Sequence, residues 1–161
     1  MIGARLGIDV GKARIGVSRC DPLQTLAVPL ETVPRTSGAT GIDDDIARIA
    51  ELAAKYSVVD IVVGLPLSMS GQQTASTRDA EEFALALAQH LRSSNAKITV
   101  RLVDERLSTV SASRQLQQAG LRTKKTRGII DQAAAVVILQ HAIDMDRYAT
   151  AAVGRLVGTD I

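Results

Sequence analysis

Three observations predict a mixed α/β fold, one sheet with helices on its faces. The chain opens with three strand-like runs joined by very short connections and continues as an alternation of helical and strand patterns. Residues 57–64, Ser-Val-Val-Asp-Ile-Val-Val-Gly, are β-branched at the density expected of a strand buried on both faces. With 161 residues, 46% apolar and 22% charged, the chain is long enough to bury an ordinary core but too short for two lobes. One domain over residues 1–150 is therefore expected, with a C-terminal tail at 151–161 that frays.

Taken in order, residues 4–10, 14–20 and 24–33 read as strands. Their connections, Gly11-Lys12-Ala13 and Asp21-Pro22-Leu23, suit an antiparallel meander. Asp43-Asp44-Asp45 precedes Ile46, Ile49, Leu52 and Ala53, which predicts a helix whose acids cap and solvate its N-terminus. The strand at 57–64 should lie beside the first. A loop from Leu65 to Gly71 leads to a helix over about 74–91, with Phe83, Leu87 and Leu91 on one face and Ser76 and Asp79 at capping-box spacing. Lys97 to Glu105 is a further strand ending in two acids, followed by a helix over about 108–119 and a basic loop at 122–127. A last helix is expected from Ile129 to Tyr148.

Composition excludes several classes. No apolar run approaches the roughly 20 residues of a membrane span. The N-terminus carries no secretory pattern, so a cytoplasmic protein is expected. The single Cys20, with only His90 and His141, supplies neither an internal disulfide nor a zinc set, so any metal must be hard and oxygen-bound. A net charge of +2 and a pI near 8.9 permit a nucleic-acid partner without arguing for one.

Asp9 is the residue that asks for an explanation, because an ionised carboxylate on a buried strand needs a cation, a metal or hydrogen bonds beside it. Strand alternation puts Arg5, Gly7 and Asp9 on one face and Leu6, Ile8 and Val10 on the other. In the strand ending at Glu105 the same parity groups Thr99, Arg101, Val103 and Glu105, favouring Glu105 over Asp104 as the companion of Asp9. On the last helix Asp131, Ala135, Ile138, Ala142 and Met145 form one stripe, with Asp131 at its head. Singly, an Asp in a first helical turn satisfies the dipole. As a set, three carboxylates from two strands and a helix start call for cations, and magnesium (or manganese), which takes carboxylate and water oxygens together with substrate phosphate, suits them. Two such ions could serve the attacking and leaving sides of a phosphodiester.

The motifs Asp-Val-Gly-Lys-Ala-Arg-Ile-Gly-Val at 9–17, Gly-Leu-Pro at 64–66 with Gly71, Val-Asp-Glu-Arg-Leu-Ser-Thr at 103–109, and Asp-Gln-Ala-Ala-Ala-Val-Val-Ile-Leu-Gln at 131–140 run in order through nearly the whole chain. With them the sequence resembles the YqgF family, also called RuvX, of the ribonuclease-H-like superfamily. The resemblance implies a five-stranded sheet, three antiparallel strands then two parallel, and an active site at Asp9, Glu105 and Asp131. It also implies a nuclease for structured nucleic acid, either processing the 5′ end of pre-16S ribosomal RNA or resolving Holliday junctions. Related resolvases and ribonucleases are expected to have an acid at the end of the fourth strand. Here that strand ends in Val63-Gly64-Leu65, so the second carboxylate must come from Glu105.

The expected chemistry is metal-dependent phosphodiester hydrolysis, with Asp9 as central ligand and Glu105 and Asp131 completing the site. Lys12, Arg14, Arg106, Lys124, Lys125 and Arg127 are candidates to contact phosphates, although each alone also reads as a solvated charge. One Phe, two Tyr and no Trp leave little for base stacking, so shape and backbone recognition are expected. The competing readings are a non-catalytic nucleic-acid-binding module and an actin-like phosphotransferase. The second needs two lobes, for which this chain is too short. RNA or branched DNA, and monomer or homodimer, stay open at this stage.

Overall fold

In the computed structural model residues 2–36, 44–68, 70–105, 124–147 and 154–158 are described, the side chains of 124–129 excepted. Arg106 and the helix expected at 108–119 lie outside the described residues. The elements are β1 (Ala4–Val10), β2 (Arg14–Cys20), β3 (Ala27–Pro34), α1 (Asp44–Lys55), β4 (Val58–Leu65), α2 (Ala75–Ser93), β5 (Thr99–Asp104), α3 (Lys124–Asp146) and β6 (Arg155–Leu156).

The sheet order is β3-β2-β1-β4-β5-β6. β1, β2 and β3 pair antiparallel, while β4 runs parallel to β1 and β5 parallel to β4, which is the order predicted for the first five strands. The sheet has six strands, however. Arg155 and Leu156, in the tail expected to fray, pair antiparallel with β5 at Leu102 and Arg101. The backbone of the β5 edge thereby gains partners that it would otherwise lack.

Alternation along the strands divides the core into two layers. Leu6 and Ile8 of β1, Ile61 and Val63 of β4, and Val100 and Leu102 of β5 pack with Ile46, Ile49 and Leu52 of α1 and Phe83, Leu87 and Leu91 of α2. On the other face Val62 and Val103 pack with Ala134, Ile138, Leu139, Ala142 and Ile143 of α3. Among the described residues no helix is long and apolar enough to cross a membrane.

Several local expectations are corrected. β3 begins at Ala27, because Asp21 holds residues 21–26 in a turn: its carboxylate accepts from the Thr25 and Leu26 N–H groups at 2.9 and 3.0 Å. Asp45 is buried and bound into the fold, not solvated; it accepts from the Thr36 N–H at 3.2 Å and lies 3.5 Å from Arg35. The cap of α2 is Thr74 with Thr77, each side chain accepting the other's N–H, in place of Ser76 with Asp79. Asp79 instead pairs with Arg35 at 2.9 Å. The largest shift is in α3, which starts at Lys124, one to two turns before Ile129. Lys124, Lys125 and Arg127 thus belong to its first turns, where Lys and Arg are good helix formers, and not to a loop. Asp131 consequently lies two turns inside the helix. Of the expected stripe, Ala135, Ile138 and Ala142 are buried but Met145 is 41% exposed, as the buried face continues through Ile143.

Candidate active site

Asp9 is the next-to-last residue of β1 and Glu105 directly follows β5. β1, β4 and β5 are parallel, so both acids stand at the carboxyl ends of their strands, the edge where open α/β sheets build their sites. Both are buried, 5% and 4% exposed. Glu105 follows Val103, which packs on the α3 face, whereas Asp104 follows Leu102 of the opposite layer.

Two glycines shape the ground between these acids. The last pair between β1 and β4 is Ile8 with Val63, and one residue further along each strand stand Asp9 and Gly64. A Cβ at Gly64 would lie 2.7 Å from Glu105 Oε1 and 3.2 Å from its Cγ. Glu105 therefore lies over the strand end that has no acid of its own, filling the space that a side chain at 64 would take. On the other side Asp9 pairs with Gly16 of β2. A Cβ there would come within 2.0 Å of the Asp131 carbonyl oxygen, so the missing side chain lets the α3 backbone touch the sheet beside Asp9.

Asp131 reaches this region from α3, but its carboxylate is engaged. Arg14 Nε donates to Asp131 Oδ2 at 2.9 Å, with the side chains 29% and 21% exposed. Residues 14, 16 and 18 share one face of β2, and each meets α3: Arg14 at the Asp131 carboxylate, Gly16 at the Asp131 carbonyl, and Ser18 through a 2.7 Å hydrogen bond from its hydroxyl to the Ala135 carbonyl. Lys12 is exposed at the tip of the β1–β2 turn, which the Gly11 N–H closes onto the Arg14 carbonyl at 2.9 Å.

The donor set suits a hard divalent cation in its chemistry: buried carboxylates, oxygen only, on one face. Its arrangement is incomplete, because among the described residues no three Asp, Glu, His or Cys side chains stand close enough to hold one ion together. Asp9 and Glu105 are the two whose burial and position fit; Asp131 is turned to Arg14.

One buried group escaped the sequence reading. Asp60 of β4, fully buried, sits 2.9 Å from Arg5 Nη2 and 3.1 Å from Arg101 Nε and also takes the Thr99 hydroxyl. Arg5 in turn reaches Asp146 near the end of α3 at 2.7 Å. A signal was present, since Arg5 and Asp60 are charges on buried strands and so needed partners. This network fastens α3 to the sheet at the end opposite Asp131.

The strand order, with α3 covering one face of the sheet, is that of a ribonuclease-H-like fold. The chain belongs to the RuvX family, whose model, described as Holliday junction resolvase, matches residues 3–145. A protein of Clavibacter sepedonicus named for pre-16S rRNA nuclease function is 51% identical over 156 residues, covering 97% of this chain and 92% of that one. One from Leifsonia xyli subsp. xyli with the same name is 53% identical over 145 residues, 90% and 88% of the two chains. Among solved structures, T. thermophilus RuvC in complex with a Holliday junction substrate superposes with a TM-score of 0.60 at 16% identity, covering 92% of this chain and 98% of that one. At that identity the likeness speaks for the fold.

Proposed function

We propose that this protein is a divalent-metal-dependent endonuclease for structured nucleic acid, and that its substrate is the 5′ end of pre-16S ribosomal RNA, processed in the cytoplasm. The observation that carries the reading is the burial of Asp9 and Glu105 together at the carboxyl ends of parallel strands, with Gly64 leaving room for the second carboxylate. Relatives at about half identity over nine-tenths of the chain bear the pre-16S name, which supports the choice of substrate.

In this reading Asp9 and Glu105 hold magnesium or manganese, with Asp131 as the third carboxylate. The ion, when bound, polarises phosphate oxygens and lowers the pKa of water. Burial keeps Asp9 and Glu105 from solvent, which strengthens their pull on a cation. Arg14 and the exposed Lys12 flank the site on the β1–β2 hairpin and draw the phosphate backbone toward it, without reading sequence. Lys124, Lys125 and Arg127, in the first turns of α3, and Arg106 are kept as further candidate phosphate contacts.

Cleavage of pre-16S 5′-end RNA and of four-way DNA junctions, under matched salt with magnesium or EDTA, tests the reading. Metal-dependent cleavage that Asp9→Asn abolishes is expected. Binding without cleavage by the unmutated protein would sink it in favour of a non-catalytic module. Junction resolution is the second reading, favoured by the family description. It requires two sites for two symmetric cuts, so preferential junction cleavage by a homodimer, with solution mass from light scattering, would select it.

A further inference from the structure

We propose that Arg14 is exchanged between Asp131 and a phosphate of the bound nucleic acid, so that the third carboxylate becomes available to a divalent ion only once substrate is in place. The inference rests on the metal-dependent reading above and goes beyond it by coupling the two binding events.

Three observations carry it. First, the Arg14–Asp131 pair is part-exposed on both sides, so it is weakly held and a phosphate can reach it. A guanidinium has five donors in a planar fork and binds phosphate in a bidentate, charge-assisted manner, whereas here it meets Asp131 through Nε. Second, the Asp131 backbone is already fixed against β2 by the close approach at Gly16, and α3 is fastened again at Ala135 by Ser18. The exchange therefore needs only side-chain rotation at 14 and 131, not movement of the helix. Third, Asp9 and Glu105 are buried at the strand ends while the carboxylate of Asp131 is held by Arg14, which is the arrangement expected before a phosphate takes the guanidinium. Because coupling between two ligands is reciprocal, nucleic acid then raises metal affinity and metal raises nucleic-acid affinity by the same factor.

The test separates the two ligands. Without nucleic acid, free Mn2+ is followed by electron paramagnetic resonance in titrations of wild-type protein, Arg14→Gln, Asp131→Asn and the double variant, each first checked for native circular dichroism. Arg14→Gln is expected to bind Mn2+ about 5-fold or more tightly than wild type, a gain absent when Asp131→Asn is already present. Without metal, in EDTA, a fluorescein-labelled RNA stem-loop is titrated by anisotropy. Asp131→Asn is expected to bind it more tightly than wild type, and the gain is expected to vanish in the Arg14→Gln background. Unchanged or weaker Mn2+ binding by Arg14→Gln overturns the proposal, as does an RNA gain that persists without Arg14, which would reflect net charge alone. Asp9→Asn keeps the two readings distinguishable: if it binds Mn2+ like wild type the metal site itself is wrong, and if it loses Mn2+ while Arg14→Gln changes nothing, only the exchange is.

Discussion

Replacing Gly64 by Ala tests whether the glycine exists to seat Glu105. The new Cβ would stand 2.6 Å from Ile138 Cδ1, 2.7 Å from Glu105 Oε1 and 3.2 Å from Glu105 Cγ. These are side-chain atoms and two are chain ends, so the strand itself need not move. Overpacking of this kind costs about 1–3 kcal/mol. At about 2–4 °C per kcal/mol for a chain of this size, the melting temperature should fall by roughly 2–12 °C. The carboxylate is displaced along with the methyl of Ile138, so Mn2+ affinity should fall by about 10-fold or more, the scale seen when a ligand loses its orienting neighbour. Calorimetric titration of Gly64→Ala, Glu105→Gln and the double variant provides the check. The double variant should bind no more weakly than Glu105→Gln, because both changes act on one carboxylate. A folded Gly64→Ala protein with wild-type Mn2+ affinity, or losses that add in the double variant, would refute the reasoning.

Gly16→Ala should be worse than Gly64→Ala in the same thermal melt, because its Cβ would meet Asp131 backbone atoms at 2.0 and 2.3 Å and only a shift of α3 could relieve that. Asp60→Asn should cost about 3–5 kcal/mol in urea denaturation by leaving Arg5 and Arg101 short of a countercharge. Thr74→Ala should lose about 1 kcal/mol and Ser76→Ala less than about 0.5, which distinguishes the observed cap from the one expected from spacing. Asp21 is held well below the usual carboxylate range by the Leu26 N–H, then by the Thr25 hydroxyl and N–H. A depressed folded pKa gives stability that is complete above the unfolded value of about 3.9 and drains away as the pH falls through the folded one. The gap in melting temperature between wild type and Asp21→Ala should therefore narrow on the acid side of that value, and a gap that widens there would contradict the assignment.

What could be read from the sequence was what depends on local rules. A three-residue connection with glycine gave β1 and β2 their bounds, and period-two alternation alone put Asp9 and Glu105 on one face, since a strand's parity needs no knowledge of its neighbours. The start of α3 was illegible because residues 124–128 carry no apolar stripe and include Gly128, so periodicity did not mark the first turns and the helix-forming Lys and Arg there were offset by a glycine. Thr74 was passed over because Thr-x-x-Thr lacks the acid or amide of a capping box. Two residues of β6 between glycines are too few to show a pattern. Arg14's present partner was equally hidden, because 117 residues separate it from Asp131 and only the closure of α3 onto β2 brings them together.

The sheet face beneath α3 explains why the site and this helix cannot be separated. Gly7 and Gly16 would each drive a side chain into α3 backbone, at 2.7 Å from the Ala135 carbonyl and 2.0 Å from the Asp131 carbonyl. The glycines add no apolar burial of their own, and beside the packing of Ile138, Leu139 and Ile143 the helix is held by directed contacts: Ser18 to Ala135 at its middle and Arg5 to Asp146 at its end. A helix seated by backbone contact and polar clamps has little freedom to slide, since each clamp has one geometry. Its position relative to Asp9 is thus set along its length, while Arg14 and Asp131 beside it are part-exposed. Substitutions that loosen the clamps should therefore act on stability first, while those at Arg14 and Asp131 should act on ligand affinity in a fold that stays intact.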